Sequence, residues 1–162
     1  MKNLLKAAVV LMVMFTFSEA NAQYSAGLGV HYGTDINNIG FSINGKYQIN
    51  EQWSAAPSFT LFLKKDYVTW SALDLDANYL ITNIEKVGGL YGLAGLNMTF
   101  YKIDLEYYGA PSTSATGTEI GLNLGLGLDI TINEKFAVAP EVRYTLGGAS
   151  YLRMGAKVMY AF

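Results

Sequence analysis

Cysteine is absent from the 162 residues, histidine occurs once and proline three times. Without cysteine there is no disulfide, no thiolate metal site, no thiol nucleophile and no acylated N-terminal cysteine. A single imidazole, His31, rules out metal sites built from several histidines. Charge is scarce as well: 15% of residues carry it, whereas soluble domains usually hold roughly a quarter. The net charge of −2 excludes a strong electrostatic binder of nucleic acid. Low charge with 51% apolar content equally excludes a disordered chain. Glycine (17) and tyrosine (12) are what the chain has in quantity. The length suits one domain.

Long apolar runs are absent too, with one exception at the start. Lys2 and Lys6 precede an apolar stretch from Ala7 to Phe17, interrupted only by Thr16, and Ala20-Asn21-Ala22 supplies small residues after it. A spanning helix needs about 20 apolar residues, so this run reads as a secretory signal peptide over residues 1–22. The mature chain is expected to begin at Gln23 and to run as one domain over 23–162.

Alternation of apolar and polar residues dominates the rest, and it recurs eight times. Its cleanest stretch sets Ile120, Leu122, Leu124, Leu126, Leu128, Ile130 and Ile132 against Gly121, Asn123, Gly125, Gly127, Asp129 and Thr131. The last strand sets Leu152, Met154, Ala156, Val158, Tyr160 and Phe162 against Tyr151, Arg153, Gly155, Lys157 and Met159. Connections alternate between short (50–52, 82–86, 133–135) and longer (33–38, 64–69, 103–118), with 147–150 between the two. A faint repeat is visible: Ile49-Asn50-Glu51-Gln52-Trp53 is echoed by Ile132-Asn133-Glu134-Lys135-Phe136, each followed by Ala-Pro (Ala56-Pro57, Ala139-Pro140). Similar hairpins recruiting similar turn residues account for it.

Eight alternating antiparallel strands fit either a soluble, lipocalin-like ligand-binding barrel with its apolar face inside, or a membrane barrel with that face outside. Three features favour the membrane. No charge interrupts the apolar face within any strand core, and the first on that parity, Lys102 and Asp104, mark where the fifth strand leaves the bilayer. Lysine facing lipid at mid-bilayer costs roughly 2–4 kcal/mol. The other face is crowded with small residues, and its few charges balance: Lys46, Arg143, Arg153 and Lys157 against Asp74, Asp76, Asp129 and Glu141. Those eight are expected to form an ion-pair network inside a narrow closed lumen. Aromatics fall into two belts: Tyr24, Tyr47, Trp53, Tyr79, Phe136, Tyr160 and Phe162 at the short-turn end, and Tyr32, Phe41, Phe100 and Tyr144 toward the loop end. Pro57 and Pro140 lie inside strands, where each deletes a ladder hydrogen bond, so a bulge or irregular pairing is expected there.

A leader, eight amphipathic strands and a C-terminus reading Val158-Met159-Tyr160-Ala161-Phe162 together resemble the small eight-stranded outer-membrane barrels of Gram-negative bacteria, the OmpA/OmpX type. The resemblance implies an all-β, up-and-down transmembrane barrel among outer-membrane lipids. It implies that Val158, Tyr160 and Phe162 are read by the barrel-assembly machinery. It is closer to the barrel-only members than to those with a further periplasmic domain.

Chemistry is sparse. His31 shares lumen parity and height with Ser42, the constellation a lipid-modifying hydrolase would need, but such enzymes place their pair outward, within reach of lipid. No enzyme activity, metal or cofactor is expected. The alternating glycines of 121–127 lack phosphate-loop spacing. An eight-stranded barrel is just wide enough for its own side chains, so no sizeable pore is expected. Tyr107 and Tyr108, in the longest connection, are candidates for contact with an extracellular partner.

Overall fold

The computed structural model describes residues 23–105 and 113–162; the predicted leader, 1–22, and the loop candidates Tyr107 and Tyr108 lie outside the described residues. Eight strands follow one another: β1 (Tyr24–Gly33), β2 (Asn38–Gln48), β3 (Trp53–Phe62), β4 (Val68–Ile84), β5 (Gly88–Leu105), β6 (Thr113–Thr131), β7 (Phe136–Gly147) and β8 (Tyr151–Ala161). Each pairs antiparallel with the next, and β1 pairs with β8, closing the barrel. Closure leaves no free edge along the body of the barrel.

Strand periodicity fixes which side chains look inward. Leu122, Leu124 and Leu126 face outward, more than half exposed, while their neighbour Asn123 is buried. On β8, Arg153 is 1% exposed and Val158 51%. The apolar face is therefore outside and the charged face inside, which settles the choice between the two barrels in favour of the membrane type. Strands β1, β2, β3, β7 and β8 hold 10 to 12 residues, close to the length that crosses a bilayer at a tilt of about 45°.

At the short-turn end the aromatics are ladder partners. Tyr24 opposes Tyr47, Trp53 opposes Tyr79 and Phe136 opposes Tyr160. Their ring centroids lie 4.9, 4.9 and 5.1 Å apart, and Tyr160 meets Phe162 at 5.2 Å. Such pairs contribute about 0.5–1.5 kcal/mol each beyond burial.

The two echoing turns are built alike. In one, the Asn50 side-chain oxygen accepts from the backbone N–H groups of Gln52 and Trp53 at 2.9 and 2.8 Å. In the other, Asn133 accepts from Lys135 and Phe136, both at 2.9 Å.

The prolines interrupt pairing without a bulge. Pairing of β2 with β3 lapses between Asn44↔Ser58 and Tyr47↔Ala55, the stretch holding Pro57, and resumes in the same register. Pairing of β6 with β7 lapses in the same way between Gly127↔Glu141 and Ile130↔Val138, around Pro140. Each proline stays paired on its other side, to Leu75 and Ala156. The register shift that does occur lies elsewhere, between Leu80 and Thr82 on β4.

The long connection expected over 103–118 is mostly strand. β5 runs to Leu105, β6 starts at Thr113, and the two stay paired to their tips. β4 likewise starts at Val68 and runs to Ile84, longer at both ends than the alternation suggested. Residues 113–119 of β6 pair with β5 and have no partner on β7. The β5–β6 hairpin therefore rises past β7 by roughly 20 Å along the strand, at about 3.3 Å per residue, while β4 accompanies β5 on the other flank as far as Ile103.

Polarity inverts in that projection. Below it the apolar residues of β5, Leu96, Met98 and Phe100, share the outward parity; above it that parity holds Lys102 and Asp104. The inward parity of β5 becomes apolar instead, with the Tyr101 ring tilted against Trp70 at 5.3 Å between centroids. Trp70, Ile36 and Ala149 pack against a small buried cluster of Phe62, Ala72 and Tyr151 at the loop end of the lumen.

Candidate functional site

The barrel interior is a charged layer between that apolar cluster and an open cavity. Asp74 and Asp76 come from β4, Glu141 and Arg143 from β7, Arg153 and Lys157 from β8, and all six are buried. They point inward because each shares the parity of its strand's small polar residues.

Arg143 is the hub. Its Nη1 donates to Asp76 Oδ2 at 2.5 Å and lies 3.3 Å from Asp74 Oδ2. Its Nε donates to Glu141 Oε1 at 2.8 Å, and Nη2 bonds the same oxygen. Arg153 Nη2 donates to Asp74 Oδ1 at 2.8 Å and Nη1 to Thr60 Oγ1 at 3.2 Å. Lys157 Nζ donates to Glu141 Oε2 at 2.8 Å. Three carboxylates thus meet three cations. A buried charge stripped of its partner costs about 3–5 kcal/mol, so matched signs are what make this interior tolerable. Lys46 and Asp129 pair separately, nearer the short-turn end. Both sit in the two stretches where proline interrupts the ladder, so their ion pair ties together the two weakened seams across the lumen.

Of the eight predicted lumen charges, the structure joins six in one network and the other two, Lys46 and Asp129, in a separate pair. The alternation pattern did not single out the neutral groups that complete it. Asn123 Nδ2 donates to Asp74 Oδ1 and Asp76 Oδ1 at 2.8 and 2.9 Å, and Asn97 Nδ2 to Asp74 Oδ1 at 2.7 Å. Tyr91, which the pattern left unassigned, donates its hydroxyl to Glu141 Oε2 at 2.9 Å. Its parity with Asn97 was the available signal. The β6 glycines make room for these groups: a Cβ on Gly127 would lie 2.7 Å from Tyr91 Cε2, and one on Gly125 2.8 Å from Arg143 Cβ.

His31 Nε2 and Ser42 Oγ lie 2.9 Å apart, both buried inside the barrel. Asn44 Nδ2 donates to the same Ser42 oxygen at 2.9 Å. No carboxylate among the described residues hydrogen-bonds the imidazole, and the pair faces away from the outer surface. Among the described residues no group of three His, Cys, Asp or Glu side chains is arranged to hold a metal ion.

At the short-turn end the interior widens into an open cavity of about 610 Å³. Lys46, Gln48, Ser54, Asn78, Tyr91 and Asp129 are among its walls. Val158, Tyr160 and Phe162 lie on β8 and its end, with Val158 and Phe162 about half exposed on the outer face.

The family described as outer membrane protein beta-barrel domain matches the chain over residues 7–161. The chain belongs to that family. No curated protein matches it detectably. Among solved structures, this outer-membrane barrel resembles the N-terminal β-barrel domain of Pseudomonas aeruginosa OprF at a TM-score of 0.64 and 16% identity, covering 86% of this chain and 96% of that one. It resembles Neisserial surface protein A at 0.64 and 17%, covering 90% and 100%. It resembles Ail, the attachment invasion locus protein of Yersinia pestis, at 0.59 and 19%, covering 85% and 95%. A designed transmembrane β-barrel is similar at 0.56 and 10%. These likenesses establish the fold; at such identities they carry no activity.

Proposed function

We propose that this outer-membrane barrel is a non-enzymatic envelope protein with a structural and surface-interaction role and a non-conducting lumen. Residues 1–22 direct its export to the outer membrane of a Gram-negative bacterium and are cleaved. Val158, Tyr160 and Phe162 present an outward apolar stripe to the assembly machinery. The loop end faces the cell exterior.

The observation that carries this reading is the charge-matched interior. Arg143, Arg153 and Lys157 meet Asp74, Asp76 and Glu141 at contact distance, and Tyr151 and Phe62 close over them toward the loop end. An ion entering this layer must break several buried ion pairs. The projecting β5–β6 hairpin supports the surface role, because it holds a sheet clear of the membrane. Ail, similar in fold, has been solved in complex with the heparin analogue sucrose octasulfate, a precedent for ligand binding by a barrel of this fold.

The decisive experiment reconstitutes the purified protein in planar bilayers. Baseline conductance at 100 mV, together with heat-dependent gel mobility from an outer-membrane fraction, supports the reading. Sustained channel openings overturn the non-conducting part. An altered lipid A profile in cells carrying His31→Ala would overturn the non-enzymatic part.

A further inference from the structure

Behind its exposed rim, the cavity of about 610 Å³ at the short-turn end has lost its charged and phenolic donors to other partners and retains free acceptors. The Lys46 ammonium is paired with Asp129 and lies 5.9 Å from the Tyr91 ring centroid. The Tyr91 hydroxyl donates to Glu141 Oε2 at 2.9 Å, and Gln48 Nε2 donates to the Asn50 carbonyl at 2.6 Å. The acceptors are less occupied. Asn78 is 4% exposed, and its buried Oδ1 has no hydrogen-bond partner among the described residues. Ser54, its ladder partner on β3, is 3% exposed and makes no side-chain hydrogen bond among the described residues. Lys46 bonds one oxygen of Asp129, Oδ2; the other, Oδ1, accepts no hydrogen bond among the described residues.

Charge points the same way. Glu51 adds a carboxylate at the rim, so the wall holds two carboxylates to one ammonium, and that ammonium is already paired. A buried acceptor without a donor is costly, and in a roomy polar cavity a guest that brings the hydrogen accounts for it. Water brings hydrogens alone. A cation bearing N–H groups brings hydrogens and also answers the excess carboxylate. An ammonium has three donors, one each for Asn78 Oδ1, Ser54 Oγ and Asp129 Oδ1. A metal ion suits the cavity less, because among the described residues no three acidic or histidine side chains gather around one point.

We propose that this cavity binds a small organic cation of the primary-ammonium class, its head at Asn78, Ser54 and Asp129 and its aliphatic tail toward Leu80. Lys46 competes with the guest for Asp129. The site goes beyond the surface role proposed above. It lies at the opposite end of the barrel, which on that reading opens to the periplasm, and its chemistry is the same whichever way the barrel is oriented.

The test titrates the protein, folded in micelles of a zwitterionic detergent, with n-propylammonium, and with propan-1-ol and propanoate as the neutral and anionic molecules of the same length. NMR follows the Asn78 side-chain amide and the Ser54 backbone amide. The ammonium should shift both saturably, and the alcohol and the carboxylate should leave them in place. Asp129→Asn should weaken ammonium binding about tenfold and Asn78→Leu about threefold, as expected when a hydrogen bond to a charged group is removed. Lys46→Gln should tighten it several-fold, because the competing ammonium is gone; a site for anions would be abolished by the same change. Heat-dependent gel mobility on each variant separates lost binding from a lost fold, and a gain with Lys46→Gln cannot come from misfolding. Absence of any saturable shift with the ammonium would mean that water alone fills the cavity, and it overturns the proposal. So do equal affinity for the alcohol, preference for propanoate, or weaker ammonium binding by folded Lys46→Gln.

Discussion

Arg143 touches Asp74, Asp76 and Glu141 at once, so its loss cannot be absorbed by a single neighbour. Arg143→Met keeps volume but leaves Asp76 without its ion-pair partner. The cost should be about 3–5 kcal/mol, seen as a lower urea midpoint in vesicles with gel mobility reporting the folded fraction. Arg143→Met combined with Asp76→Leu should recover part of it, because the orphaned charge goes as well. His31→Ala removes a smaller term, one hydrogen bond of Ser42, and should cost about 1–3 kcal/mol. Outside the membrane, hydrogen bonds from Lys64 and Lys102 hold the Asp104 carboxyl below the usual carboxylate range. A depressed pKa contributes stability that is complete above the ordinary value near 3.8 and disappears as pH falls through the depressed one. The Lys64–Asp104–Lys102 clamp should therefore persist through pH 4 and release only below it, which carboxyl NMR of Asp104 would follow. At this scale the sequence displayed the signs of the charges but not their partners. Asp76 and Arg143 lie 67 positions apart, and which pairs meet depends on barrel closure and register rather than on any local pattern.

The two Asn turns show how much an element depends on one side chain. Asn50 and Asn133 each satisfy two backbone N–H groups that no strand partner reaches. Replacing either with alanine should cost about 1 kcal/mol, as for ordinary hydrogen bonds near solvent, with the double variant near the sum because the two side chains share no hydrogen-bond partner. Denaturant midpoints of the three variants would check this; a double variant far beyond the sum would mean the turns are coupled through the Lys46–Asp129 pair. These turns were legible in the sequence because an Asn-initiated turn is a local device. The length of the β5–β6 hairpin was not. Its outer third inverts polarity, so the face that is apolar through Phe100 carries Lys102 and Asp104, and the β6 side is a run of Thr, Ser, Ala and Gly. Period-2 alternation keyed to a lipid-facing stripe loses its signal where the lipid ends. The prolines produce the irregular pairing that their position predicts rather than a bulge: each keeps its ladder on one flank, so a gap on the other suffices.

For the whole molecule, sidedness is the property that sequence and structure share most directly, because a closed barrel has only two faces and strand parity assigns every residue to one. The outward stripe at Leu122, Leu124 and Leu126 sits midway along β6 at the level of Arg143, which pairs across from Gly125. Leu63 lies instead just past the loop end of β3, beside the charged rim. A lysine facing lipid is costly in proportion to its depth. Leu124→Lys should therefore lower unfolding stability in phospholipid vesicles by roughly 2–4 kcal/mol, and Leu63→Lys by about 0–1 kcal/mol. Both side chains are about half exposed in the isolated barrel, so water alone gives no reason for them to differ. Matching costs at the two positions would mean that depth plays no part, and that the outer stripe answers to something other than a bilayer. A gap of at least 1.5 kcal/mol between them in vesicles, absent when the same variants are unfolded from a small-headgroup detergent micelle of shallow core, would place Leu124 at the hydrocarbon centre and Leu63 at its edge.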